Sequence, residues 1–160
     1  MTSRQLILLL TLASTALIVG AWIFQLRGYA PCELCLWQRK PHYAAIVIGA
    51  LALLTRQRWL AWPGAAALAT TSAIGFYHSG VERKWWPGPD TCTGGGNVGG
   101  MSADDMLAQL QSTPVVMCDV IPWRLSDLIP WDLLDITMAN FNAIGSLVLV
   151  FVWITAARRA

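Results

Sequence analysis

Four cysteines are the side chains best equipped for chemistry, and they fall into two unlike pairs. Cys32 and Cys35 form a C-x-x-C, whereas Cys92 and Cys118 stand 26 residues apart. Two thiols so close in the chain close a very small ring, and short loops gain least stability from a crosslink. The first pair therefore suits reversible redox chemistry better than stapling a fold. Cys35 falls in the first turn of an expected helix, where unpaired N–H groups favour a thiolate. Three readings of the set stay open: redox-active pairs, two structural disulfides, or a zinc site completed by Cys92 and Cys118. The long separation of the second pair does not match the usual ligand spacings of zinc, and no metal is expected.

Arg39 lies four residues after Cys35, on the same face of a helix. An arginine near a membrane boundary, with no acid at helical spacing, is costly to leave idle. It can stabilise a Cys35 thiolate and donate hydrogen bonds to a bound acceptor molecule. The plain alternative is a side chain that snorkels to the headgroups. His78 closes the third apolar segment at the same level. Alone it is an interfacial histidine; beside Arg39 it becomes a second donor to the same acceptor. His42 is the weaker candidate, a polar residue in the early turns of the second segment. Pro41 distorts one of those turns in a helix expected to start near Cys35, a feature that membrane helices tolerate.

The elements that position these residues are long and apolar. The chain has 160 residues, 56% hydrophobic and only 12% charged, with nine Trp and a mean hydropathy of +0.51. About 18 uncharged apolar residues suffice to cross a hydrocarbon core of roughly 30 Å. Four stretches approach that length: 6–26, 36–54, 59–77 and 140–157. The first exceeds the roughly 7–15 apolar residues of a secretory signal core. The expected fold is all-α, a bundle of four transmembrane helices with a long loop over 78–139 that contains short helices, all in one domain spanning 1–160.

Charge orients the bundle. With both termini on the cytoplasmic side, the short inner pieces hold Arg4, Arg56, Arg58, Arg158 and Arg159 and no acid. All nine acids then lie on the other side, as the preference of short Lys/Arg-rich segments for the cytoplasm requires. Arg27, Arg39 and Lys40 run against that rule and need a local reason. All four cysteines fall on the outer face or at its edge. No basic cluster points to nucleic acid. The tract Thr93-Gly94-Gly95-Gly96-Asn97-Val98-Gly99-Gly100 beside Cys92 offers little to pack and would let that sulfur change partners. A short capped helix is expected from Ser102 to about Gln111. The Trp-rich stretch from Ile121 to Leu134 is expected along the membrane surface, holding the loop near the first cysteine pair.

The segment Pro31-Cys32-Glu33-Leu34-Cys35-Leu36-Trp37-Gln38-Arg39 at the head of a membrane helix resembles the disulfide bond formation protein B (DsbB) family. Tyr77-His78 at the end of the third segment and the spacing of Cys92 and Cys118 are similar too, so the resemblance covers nearly the whole chain. It implies a bacterial inner-membrane thiol oxidase whose redox cysteines face the periplasm. Cys32 and Cys35 are then oxidised by a membrane quinone, ubiquinone or menaquinone, and Arg39, His78 and Cys35 match the quinone-site positions. Cys92 matches the cysteine that forms a mixed disulfide with a DsbA-like, thioredoxin-fold periplasmic partner, and Cys118 matches its loop mate. Such a partner is itself a strong oxidant, so its regeneration demands a stronger one. The chain departs from the family pattern at Gln38, where an acid is often found, at Lys40-Pro41, and in its Gly-rich and Asp127–Asp135 stretches. Two other functions compete: a quinone reductase resembling vitamin K epoxide reductase, and a non-enzymatic membrane protein with structural disulfides.

Overall fold

Away from water a backbone must satisfy its own hydrogen bonds, and a helix does so within one segment. In the computed structural model, which describes residues 1–93, 102, 104, 116–127 and 135–159, the apolar stretches accordingly form four long helices. They are α1 (Ser3–Leu26), α2 (Glu33–Thr55), α3 (Ala61–Glu82) and α4 (Met138–Arg158). Two of them, α1 and α4, are long and apolar enough to cross a membrane, with mean hydropathies of 2.4 and 1.7.

The helix starts are written locally. Thr2 and Gln5 form a capping box at α1, and Thr137 and Asn140 form another at α4. Each box satisfies two otherwise orphaned N–H groups. At α2 the cap is the sulfur of Cys32, which accepts from the Cys35 backbone N–H. The helix continues through Pro41, whose missing N–H frees the carbonyl one turn earlier. Between α2 and α3 the chain reverses at Arg56, a non-glycine residue with φ of 59°, followed by a 3₁₀ turn at Arg58–Leu60.

Both faces of the helices are apolar. Leu8, Leu12, Val47, Phe141 and Phe151 are exposed, as lipid-facing side chains are. The inward faces meet through small residues. A Cβ on Gly75 would sit 3.0 Å from the Cα of Ala143, and one on Gly64 would sit 2.7 Å from the ring of Trp153. Close approach through small residues is how membrane helices gain packing energy when lipid offers no hydrophobic drive. Ser72 Oγ donates to the Ala143 carbonyl at 2.8 Å, and Ser3 Oγ to the Ala156 carbonyl at 2.8 Å, pinning α4 at both ends.

The connection from α3 to α4 contains 3₁₀ turns at Asp90–Thr93 and Leu125–Asp127. Thr137 Oγ1 donates to buried Glu82 at 2.6 Å, and Arg83 reaches Asn140 Oδ1 at 3.0 Å, so the two ends of the connection are tied together. Arg124 pairs with Asp135 at 2.8 Å. The Gly-rich tract from 94 onward, most of the short helix expected over 102–111, and the 128–134 part of the Trp-rich stretch lie outside the described residues.

Candidate functional site

The dithiol forms because the chain enters α2 at Cys32. As the capping residue Cys32 has an extended backbone and turns its sulfur over the first helical turn, where Cys35 follows. The two sulfurs lie 2.8 Å apart, with Cys32 donating to Cys35. That hydrogen bond, reinforced by burial, pushes the Cys32 thiol far above the ordinary thiol range. Cys32 therefore keeps its proton. It is buried, whereas Cys35 is partly open.

The second pair is joined as a disulfide, Cys92–Cys118, and both halves are buried at 2% and 1% exposure. It packs with Cys32, Leu34 and Val81 in one apolar cluster, against which Cys35 also rests. Both cysteine pairs thus share a single patch at the head of α2 and the end of α3. His78 stands between them, with Nε2 3.2 Å from the Cys118 carbonyl and 3.6 Å from the Cys32 sulfur.

The dithiol also borders a cavity of about 580 Å³ among the four helices and the loop. Cys35, Arg39, His42 and His78 line it, and apolar groups such as Ile18, Phe24 and Trp123 make up most of the remaining wall. Trp123 comes from the loop and meets Phe24 of α1 edge to face, with ring centroids 5.6 Å apart. Arg39 donates to Gln25 Oε1 at 2.9 Å and to the Ala21 carbonyl at 3.4 Å, both on α1. Among the described residues the one ion pair is Arg124–Asp135, so the guanidinium at the cavity wall is held by neutral oxygens.

Donor and acceptor counting fixes the protons of the polar groups behind this wall. Thr71 Oγ1 donates to the Gln38 carbonyl at 2.9 Å, so toward Asn142 it can only accept. Asn142 Nδ2 therefore faces Thr71 Oγ1 at 3.1 Å and also donates to Gln38 Oε1 at 2.7 Å. Gln38 then turns its Nε2 to His78 Nδ1 at 2.8 Å, and His78 must carry its proton on Nε2. That proton points at the Cys118 carbonyl. Asn142 Oδ1, left as the acceptor, takes the Nε2–H of His42 at 2.9 Å. One directed chain thus runs from His42 through Asn142, Gln38 and His78 to the loop disulfide.

A zinc site built from all four cysteines does not form, because Cys92 and Cys118 are spent on each other. Cys32, Cys35 and His78 do bring ligand atoms within 4.8 Å of one another. Two sulfurs about 2.3 Å from a tetrahedral zinc would, however, lie roughly 3.8 Å apart. The observed 2.8 Å separation suits formation of a bond between them instead.

A scan against protein families matches residues 3–156 to the family described as Disulfide bond formation protein DsbB. The chain belongs to the DsbB family. Neither the curated proteins nor the solved structures gave a match. DsbB membership makes the fold a four-transmembrane-helix bundle and the chain a thiol oxidoreductase of disulfide bond formation with two cysteine pairs. Against that DsbB frame, Cys32, Cys35, Arg39 and His78 come together at one place, and the Cys92–Cys118 disulfide adjoins them. His42 does reach the cavity, and its part in the network exceeds what sequence reading gave it. Asn142, Thr71 and Ser146 were missed altogether. The signal available was an asparagine inside an otherwise apolar span, a group too costly to leave unpaired in lipid.

Proposed function

We propose that this DsbB-family protein is a quinone-linked thiol oxidase that regenerates a DsbA-like dithiol oxidase in the periplasm. One observation carries the reading: the partly open Cys35 borders a largely apolar cavity, while the Cys92–Cys118 disulfide packs against the same dithiol. A lipid-dissolved oxidant has access to Cys35 from the cavity, and the adjoining loop disulfide is left for a water-borne reductant once its cover lifts.

The steps balance as two exchanges and one oxidation. A partner thiolate attacks the Cys92 sulfur, breaking the Cys92–Cys118 bond and forming a mixed disulfide. The partner's second thiol releases Cys92, leaving the partner oxidised and Cys92 and Cys118 reduced. These two thiols then exchange with an oxidised Cys32–Cys35 pair. The resulting dithiol is the state of Cys32 and Cys35 in the structure.

A benzoquinone or naphthoquinone headgroup suits the cavity on three counts: mostly apolar walls, a guanidinium with no carboxylate partner among the described residues, and a sulfur in the lining. Arg39 would hold a carbonyl oxygen there, and Cys35 would face the ring. Once bound, the quinone supplies the chemistry of taking up two electrons and two protons. The protein's part is to keep water out, to hold Cys32 protonated beside Cys35, and to orient His78 through Gln38.

The test is to add quinone to the purified, fully reduced protein without oxygen and to count thiols. Both disulfides should re-form as one hydroquinone appears for each disulfide, and Cys35→Ser should abolish hydroquinone production. Inert thiols would leave a structural role for the four cysteines. The periplasmic placement is tested by labelling intact cells with a membrane-impermeant thiol reagent after reduction; a dithiol reached only from the cytoplasm would overturn it.

A further inference from the structure

The end of the bundle opposite the cysteines carries a cavity of its own. The head of α1, the tail of α2, the turn after it and the residue following α4 surround an opening of about 430 Å³. That volume lies within the roughly 300–1,000 Å³ of small-molecule sites. Arg4, Arg56, Arg58 and Arg159 line it, and no acid among the described residues does. All four arginines are exposed, so their charge is reachable at the opening. Arg159 donates to the Met1 carbonyl at 2.9 Å, which brings the two ends of the chain together beside the cavity. Arg4, Arg56 and Arg58 have no side-chain hydrogen bond or ion pair among the described residues.

The preference of short basic segments for the cytoplasmic side accounts for the sign of these residues. It does not account for their meeting. They come from three separate parts of the chain, whereas Arg158, the fifth base at this end, stays outside the lining. Arg56 also sits at a φ of 59°, a left-handed conformation that favours glycine. Like charges gathered round one opening repel one another, and an anion held among them removes that cost. Guanidinium groups present paired N–H donors that match phosphate oxygens.

The surroundings say which phosphate. Trp59 and Trp62 stand beside the same turn, 62% and 51% exposed. Tryptophan concentrates at the headgroup level of a bilayer, which places the opening at that depth. Ile7, Ala52 and Leu53, deeper along α1 and α2, supply an apolar inner wall. A free phosphate has no use for such a wall, whereas the glycerol end of a phospholipid does. We propose that this cavity binds the phosphodiester headgroup of an anionic membrane phospholipid. A zwitterionic lipid carries the same phosphate with a cation beside it, and the arginines disfavour that cation. Neither the cysteines nor the quinone enters this reading, which stands or falls apart from the oxidase function.

The test counts lipids on the full-length protein. Delipidated protein in detergent is titrated with phosphatidylglycerol and with phosphatidylcholine of the same acyl chains, and bound lipid is resolved by native mass spectrometry. One phosphatidylglycerol should bind per chain, about fivefold or more tighter than phosphatidylcholine. Inorganic phosphate at equal concentration should not displace it. Arg56→Gly removes one guanidinium and suits the left-handed turn, so it should fold while lowering phosphatidylglycerol affinity about fivefold. Adding Arg58→Gln should bring the loss to about thirtyfold. Arg158→Gln takes the same charge from the same end but lies outside the cavity, and it should leave the affinity nearly unchanged. Equal affinity for the two lipids, or equal losses in Arg158→Gln and Arg56→Gly, overturns the site. Displacement by inorganic phosphate makes a free anion the ligand and overturns the lipid assignment. The comparison of lipids on the unaltered protein needs no variant and decides the matter if the substitutions do not fold.

Discussion

Replacing Gln38 by leucine tests whether the buried chain of amides and imidazoles holds the site together. Gln38 donates to His78 Nδ1 at 2.8 Å and accepts from Asn142 Nδ2 at 2.7 Å, and it is buried. Leucine keeps most of the volume and removes both bonds. Asn142 retains Thr71 Oγ1 at 3.1 Å, so only His78 Nδ1 is left with nothing. Each lost bond is worth about 0.5–1.5 kcal/mol, and the orphaned ring nitrogen costs about 1–3 kcal/mol more. Bonds between membrane helices average nearer to 0.6 kcal/mol, because the unfolded chain in lipid also finds partners. The expected loss is therefore about 2 kcal/mol of stability, read as a shift in equilibrium unfolding by SDS in mixed micelles. A second effect should accompany it. With Nδ1 unpaired the His78 ring is free to turn, the Cys118 carbonyl loses its donor, and exchange between the two cysteine pairs should slow. A variant within about 0.5 kcal/mol of the parent, the size of an ordinary surface change, with unaltered exchange would refute the directed chain.

Two further outcomes follow from other contacts. Arg39→Ala should raise the apparent KM for quinone by about tenfold to a hundredfold, the worth of one charge-assisted hydrogen bond, and an unchanged KM would remove Arg39 from the ligand. Gly64→Ala should cost about 1–3 kcal/mol in the same SDS unfolding assay, because the fully buried Trp153 ring must yield to the new methyl group, while the KM for quinone stays as it was.

Much of the fold could be read from hydropathy, because a segment that must close its own hydrogen bonds in lipid has few options. The helices nevertheless run past the apolar stretches. Four residues of α3 beyond His78 are helical, and α2 begins at Glu33, so Cys32 is a cap and not a loop residue. Arg39 was legible from its spacing to Cys35, since a four-residue interval on a helix is nearly a fixed distance. The partnership of His78 with the Cys118 carbonyl was not, because it joins residues 40 apart in the chain through a loop of no regular pattern. Asn142 escaped for a different reason: an uncharged amide barely lowers a hydropathy average, although its buried hydrogen bonds order three helices around it.

The burial of the loop disulfide sets the timing of the proposed relay. With Cys92 and Cys118 both almost completely covered, an incoming protein thiolate has no straight line of approach to either sulfur. Their cover must lift before sulfur meets sulfur, whether ahead of docking or during it, so the rate of the relay contains a step of uncovering as well as one of encounter.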